Sequence, residues 1–206
     1  NVRVGGMLSG KKGILHLHLG ALSSKMDILF EIIENYEFPI EHISPTHVGR
    51  TKDLFDQAIT FAKMGGMIDI TTGASKYTDP YKSVLYALDN NVSIDNMTFS
   101  SDGNAGLDKL DKNNNLVGFK SAPFDKNFEE VINLHKHGDI PIEDALKLIT
   151  SNPAKNLGLK NKGQVKVNSD ADLCFLNSDL ELHTVIANGK FMMQEGALVV
   201  KGSFEK

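Results

Sequence analysis

Cysteine is nearly absent: Cys174 stands alone among 206 residues. No internal disulfide can form, which fits a reducing compartment. Flanked by Leu173 and Phe175, it reads as a strand residue. Long apolar runs are missing as well. No stretch approaches the length of a membrane span and none reads as a signal peptide, so no membrane partner is expected and the expected location is cytoplasmic. Nor is there an excess of positive charge. The formal net charge is −4, which leaves no global basic field for nucleic acid. Gly65-Gly66 lies in no Gly-x-x-x-x-Gly-Lys pattern, so it is a helix stop rather than a phosphate loop. Solenoid-type repeats are also lacking. What is present, 41% hydrophobic and 23% charged residues, describes a globular chain able to bury a substantial core.

The chain opens at Asn1, without an initiator methionine and in mid-pattern. A piece of a longer protein is therefore expected. Residues 13–18, 43–48, 67–71 and 97–101 read as short buried strands. Helical patterns separate them. The first starts at Ser24 and carries Ile28, Leu29, Ile32, Ile33 and Tyr36 before Pro39. The second starts at Thr51, with Leu54, Phe55, Ala58, Ile59 and Ala62 on one face. The third starts near Pro80, with Val84, Leu85 and Leu88. Strand and helix alternating in this way is the rhythm of a parallel sheet. The polar run 103–123 reads as a long loop. Helices are expected around 128–135 and 142–149, with a last short one from Ser151 to about Gly158. Residues 160–206 change character: short β segments are punctuated by Asn188-Gly189, a strong hairpin signal, and Glu195-Gly196. The expected division is 1–159, an α/β domain, and 160–206, a small β appendage. Four strand–helix units make either an open α/β sheet or half of a β/α barrel.

In a β/α barrel the reactive residues sit at the C-terminal ends of strands. His18, His47 and Asp102 each end a predicted strand. Two imidazoles and a carboxylate are ligands for a hydrolytic metal, which needs an open position for water. The carboxylate can also move a proton from that water to a leaving nitrogen. His16 shares its strand face with His18, two residues on, and is expected to be a hydrogen-bonded core histidine one layer beneath it. Asp69, in mid-strand, is expected to be a buried polar partner. His135 and His137 suit a helix end, and Asp170 with Asp172 suits a turn. His42, just ahead of a strand, and His183, in the β appendage, carry no catalytic expectation.

Three segments carry a resemblance: Leu17-His18-Leu19-Gly20, Pro45-Thr46-His47-Val48-Gly49-Arg50 and Ser100-Ser101-Asp102-Gly103-Asn104. They are similar to the isoaspartyl dipeptidase family of the amidohydrolase superfamily. The run Ile68–Thr71 adds to it. Residues 168–173 and 185–190 resemble the closing β segment of many amidohydrolases. The resemblance implies the second half of a (β/α)8 barrel, about four βα units, with a small C-terminal portion of a β-sandwich. It implies a zinc metallohydrolase that cleaves β-aspartyl dipeptides, with two zinc ions in the intact enzyme and at most a partial site in this chain. His18 and His47 would bind one metal. Asp102 would touch the other and transfer the proton for the bridging hydroxide. Arg50 would pair with a carboxylate of a small acidic dipeptide, the bidentate contact a guanidinium favours.

The family's His-x-His pair, its bridging carboxylated lysine and a carbonyl-polarising tyrosine would all lie upstream of Asn1. Gly106 stands where the family tends to have serine, so one substrate contact is missing or supplied differently. Two other readings follow: an amidohydrolase acting on a cyclic amide, or a non-catalytic fragment with a partial metal site. Manganese, iron or cobalt would also suit mixed nitrogen and oxygen ligands. Half a barrel exposes strand edges, so a homo-oligomer is expected.

Overall fold

Four short strands set the geometry, because alternate residues of a strand point to opposite faces. The computed structural model describes residues 1–73 and 76–202, in two units, Asn1–Gly158 and Leu159–Lys206. In the first unit a short helix, α1 (Val2–Leu8), precedes β1 (Leu15–His18). β1 pairs in parallel with β2 (Ile43–Thr46), and β3 (Ile68–Thr71) pairs in parallel with β4 (Met97–Ser100). The Val48 N–H donates to the Asp69 carbonyl at 3.3 Å, which joins the two pairs, so the strands follow one another in space as they do in the chain. Each crossover holds a helix: α2 (Asp27–Tyr36), α3 (Lys52–Lys63) and α4 (Pro80–Asp89). Parallel neighbours require such a crossover.

The two faces of the strands differ sharply. Ile43, Ile68, Ile70, Met97 and Phe99 belong to the apolar core with Met26, Leu29, Phe55 and Phe61 from the helices. The alternate residues Ser44, Thr46, Asp69, Thr71 and Thr98 are polar and also buried. The core binds helices to strands, and the polar face is left to line a cavity.

The helices form for local reasons that tertiary contacts adjust. Thr51 caps α3, its Oγ1 accepting from the Leu54 N–H at 3.2 Å. All five apolar residues assigned to one face of this helix are buried. α2 begins at Asp27 rather than at Ser24, whose side chain makes no cap. Instead the Ser24 carbonyl accepts from the Asp27 N–H in a preceding turn, and Gln57 Oε1 of α3 accepts from the Met26 N–H at 2.8 Å. A neighbouring helix thus satisfies the donor that a side-chain cap would have served. α4 is treated similarly. Its N-cap Asp79 makes no side-chain cap, and the buried Glu130 of α5 (Lys126–Gly138) accepts from the Tyr81 N–H at 2.9 Å, a favourable place for a carboxylate. Two short helices follow, α6 (Ile142–Lys147) and α7 (Ser151–Leu157), the latter ending at Gly158 with φ +70°. Asn152 of α7 donates to the Ile94 and Met97 carbonyls, both at 2.8 Å. Asn156 donates to Ser44 Oγ at 2.9 Å.

The expected long loop over 103–123 is not what forms. Most of it is an antiparallel ribbon, β5 (Gly106–Leu110) and β6 (Leu116–Ser121). Its turn is closed by Asp111, whose carboxylate accepts from the backbone of Asn113 and Asn115 at 2.8 and 2.9 Å. The ribbon is exposed on both faces, with Val117 and Phe119 among its exposed residues. It therefore lacks the apolar alternation by which a half-buried strand is recognised.

The second unit is a four-stranded antiparallel sheet in the order β10-β9-β8-β7, built from β7 (Leu173–Leu176), β8 (Leu182–Ala187), β9 (Lys190–Gln194) and β10 (Ala197–Leu198). Asn188 and Gly189, with φ of 49° and 76°, make the β8–β9 turn, the left-handed pair that a tight hairpin needs. Cys174 lies in β7, and burial raises its thiol pKa. Among the described residues no helix is long and apolar enough to cross a membrane.

Candidate active site

β1 and β2 run parallel with His18 opposite Thr46, so His47 emerges one residue beyond the end of its strand, beside His18. The chain turns there. His47 has φ 64°, and Asp102, just past β4, has φ 53°. Residues other than glycine enter this left-handed region at a cost, and such positions cluster at functional sites. The His18 Nδ1 and His47 Nε2 atoms face each other at 2.9 Å. On its other side the His47 ring is held by Thr71, with Nδ1 and Oγ1 2.7 Å apart. His47 is 4% exposed. Burial pushes its pKa down, the charges of Arg50 and His18 add to that, and Asp102 and Asp69 pull the other way. The net shift favours the neutral imidazole, the form that can donate an electron pair.

A cavity of about 280 Å³ opens on this group, lined among others by His16, His18, His47, Asp69, Ser100 and Asp102. The Asp102 carboxylate accepts no hydrogen bond among the described residues. Asp69, by contrast, accepts at both carboxylate oxygens. It accepts from Thr46 Oγ1 at 2.5 Å, from Thr98 Oγ1 at 2.6 Å and from Ser100 Oγ at 2.5 Å. α7 supplies Pro153, Asn156 and Leu157 to the wall. Arg50 closes the turn that begins at His47, its N–H donating to the His47 carbonyl at 3.2 Å. Its guanidinium Nε is buried and has no partner among the described residues.

The structure thus gathers His18, His47 and Asp102 around one cavity and sets Arg50 beside His47. Among the described residues, no group of three or more His, Cys, Asp or Glu side chains is arranged to hold a metal ion. His16 departs from expectation. Its ring packs edge-on to His18 at 5.1 Å between centroids, but it is exposed and makes no hydrogen bond among the described residues. Sharing a face with His18 put it at the cavity wall, and Ser44, opposite it on β2, has its hydroxyl engaged by Asn156 instead. The remaining histidines have structural contacts. His42 Nδ1 meets the Gly13 carbonyl at 2.5 Å and His135 Nδ1 meets that of Ile140 at 2.8 Å. His183 Nδ1 lies 3.0 Å from Thr184 Oγ1. Asp170 and Asp172 both pair with Lys162. The sequence reading overlooked the hydroxyls of Thr46, Thr71, Thr98 and Ser100. Their only signal was the alternation that places them on the same face as Asp69.

Comparison with known proteins places this geometry in context. The amidohydrolase family model matches residues 11–192. Two crystal structures of a β-aspartyl dipeptidase from Fervidobacterium islandicum AW-1 are similar over 99% of this chain. One, in complex with a β-Asp-Leu dipeptide, shares 37% identity with a TM-score of 0.87. The other shares 34% with a TM-score of 0.84. This chain spans about half of those proteins, 53% and 52% of their lengths. Atrazine chlorohydrolase from Arthrobacter aurescens TC1, complexed with zinc, matches 92% of this chain and 46% of its own at 13% identity and a TM-score of 0.54, a likeness of fold alone.

Proposed function

Because the chain belongs to the amidohydrolase family, whose members are generally metal-dependent hydrolases, we propose that it forms part of an enzyme that hydrolyses β-aspartyl dipeptides. In this reading the four parallel strand–helix units are the second half of an eight-stranded barrel, with the cavity at the C-terminal end of its strands. The observation that carries the proposal is the convergence of the His18 and His47 imidazole nitrogens at 2.9 Å on a cavity that Asp102 also lines.

The donor set fits part of a metal centre. Two imidazoles, one held neutral, suit two ligand positions of a divalent ion such as zinc, and further ligands would come from outside the described residues. A bound metal would supply Lewis acidity, lowering the pKa of a water and polarising the scissile carbonyl. The chain's own residues would do the rest. Asp102, whose carboxylate accepts no hydrogen bond among the described residues, takes a proton in the cavity and returns it to the departing amine nitrogen. Arg50, whose buried Nε has no partner among the described residues, grips a carboxylate of the acidic substrate. The 37% identity to a dipeptidase crystallised with β-Asp-Leu supports this substrate class over a cyclic amide.

The test uses the intact enzyme. Asp102→Asn is expected to lower turnover of β-aspartyl-leucine by about 10²-fold or more while metal content is unchanged. Retention of most activity with metal bound would remove Asp102 from the chemistry. Faster hydrolysis of cyclic amides than of β-aspartyl-leucine by the wild type would overturn the substrate assignment.

A further inference from the structure

β3 contributes none of the residues assigned to chemistry, yet Asp69 and Thr71, which share one face of it, together reach the residues of both neighbouring strands. Asp69 lies between β2 and β4 and accepts hydroxyls from each: Thr46 on one side, Thr98 and Ser100 on the other. Thr46 immediately precedes His47, and Ser100 lies two residues before Asp102. Two residues further along the same face, Thr71 Oγ1 meets His47 Nδ1 at 2.7 Å, on the ring edge opposite the nitrogen that faces His18. We propose that β3 is a positioning strand, with Thr71 setting the tautomer and plane of His47 and Asp69 tying the ends of β2 and β4 at a fixed separation. The inference rests on the metal-binding reading of His18 and His47.

The physical argument is one of direction. A neutral imidazole has one N–H and one lone pair, and whichever nitrogen donates leaves the other to bind. When the Thr71 oxygen accepts from Nδ1–H, Nε2 is left as the electron-pair donor, aimed at the His18 side of the cavity. Outer contacts of this kind orient metal-binding histidines, and their loss typically costs about 10–100-fold in metal affinity. Asp69 acts on backbone position instead. Its carboxylate holds three hydroxyls from β2 and β4; β4 is also joined to β3 by a parallel ladder, whereas among the described residues the Val48–Asp69 contact is the backbone hydrogen bond that joins the end of β2 to β3. The left-handed positions at His47 and Asp102 lie one residue after Thr46 and two residues after Ser100. Slippage of either strand end would carry its functional side chain with it.

Two measurements on the intact enzyme, stripped of metal, test the proposal, neither requiring catalysis. Nitrogen-15 NMR of the imidazoles should show wild-type His47 protonated at Nδ1 and free at Nε2. Zinc affinity, read by competition with a chromophoric chelator, should fall about 10–100-fold in Thr71→Val and in Asp69→Asn, with Thr71→Ser restoring it. A wild-type His47 carrying its proton on Nε2 overturns the role of Thr71, and this readout needs no variant to fold. Undiminished zinc affinity in a folded variant overturns the role of the residue replaced. If wild type binds no zinc while Thr71→Val still shifts the tautomer, the positioning inference stands and the metal reading falls.

Discussion

Arg50 shows what a single residue can cost and contribute. Leaving a buried donor without an acceptor carries a penalty of about 1–3 kcal/mol, and Nε of Arg50 is in that state. The penalty makes sense if a carboxylate arrives there. Arg50→Met is therefore expected to hold or raise the unfolding free energy by up to about 1 kcal/mol, measured by chemical denaturation. In the intact enzyme the same change should raise KM for β-aspartyl dipeptides at least about tenfold. A variant that is less stable and binds substrate normally would assign Arg50 a packing role. At this scale the sequence was informative about residue type and place. His18, His47 and Asp102 could be located at strand ends from the pattern of elements alone. The Thr71 contact could not, because a threonine at the end of a strand looks the same whether it meets solvent or an imidazole.

Elements formed where local chemistry and burial agreed. α3 has its threonine cap, its apolar face and its glycine stop. Thr51→Ala should cost about 1 kcal/mol, seen as a lower denaturation midpoint with an unchanged slope. α2 shows the opposite case, because its start was decided by Gln57 of another helix, which no window around Ser24 contains. The 106–121 ribbon escaped notice because it is exposed on both sides and offers no alternation. The β8–β9 hairpin was legible from Asn188-Gly189 because φ above zero at consecutive positions restricts residue choice. Its turn is also held by Asp172, which accepts from the Asn188 N–H at 2.7 Å. Lys162 first, and then that N–H, hold the Asp172 pKa below its ordinary 3.8. A carboxyl depressed in the folded state contributes stability that is present above the unfolded pKa and lost as pH falls through the folded one. Asp172→Asn should flatten that acid limb, followed by circular dichroism from about pH 5 down to pH 2.

Of the residues lining the cavity, His18, His47 and Asp102 are those assigned to metal binding or proton transfer, and with this partial set the 206 residues alone are expected to show little or no dipeptidase activity; robust turnover of β-aspartyl-leucine would refute this. Exposed apolar residues such as Leu22, Phe119 and Phe124 lead us to expect self-association, which a monomeric sedimentation profile would contradict. The order of strands and helices, the apolar stripes and the polar residues at strand ends all follow from local pattern, because period and turn chemistry act over a few neighbours. What converges on what was decided only by the tertiary structure. The 2.9 Å approach of His18 to His47, the three hydroxyls on Asp69 and the orphaned Nε of Arg50 depend on register between strands far apart in the chain. Register is set by packing of the whole core rather than by any segment of it.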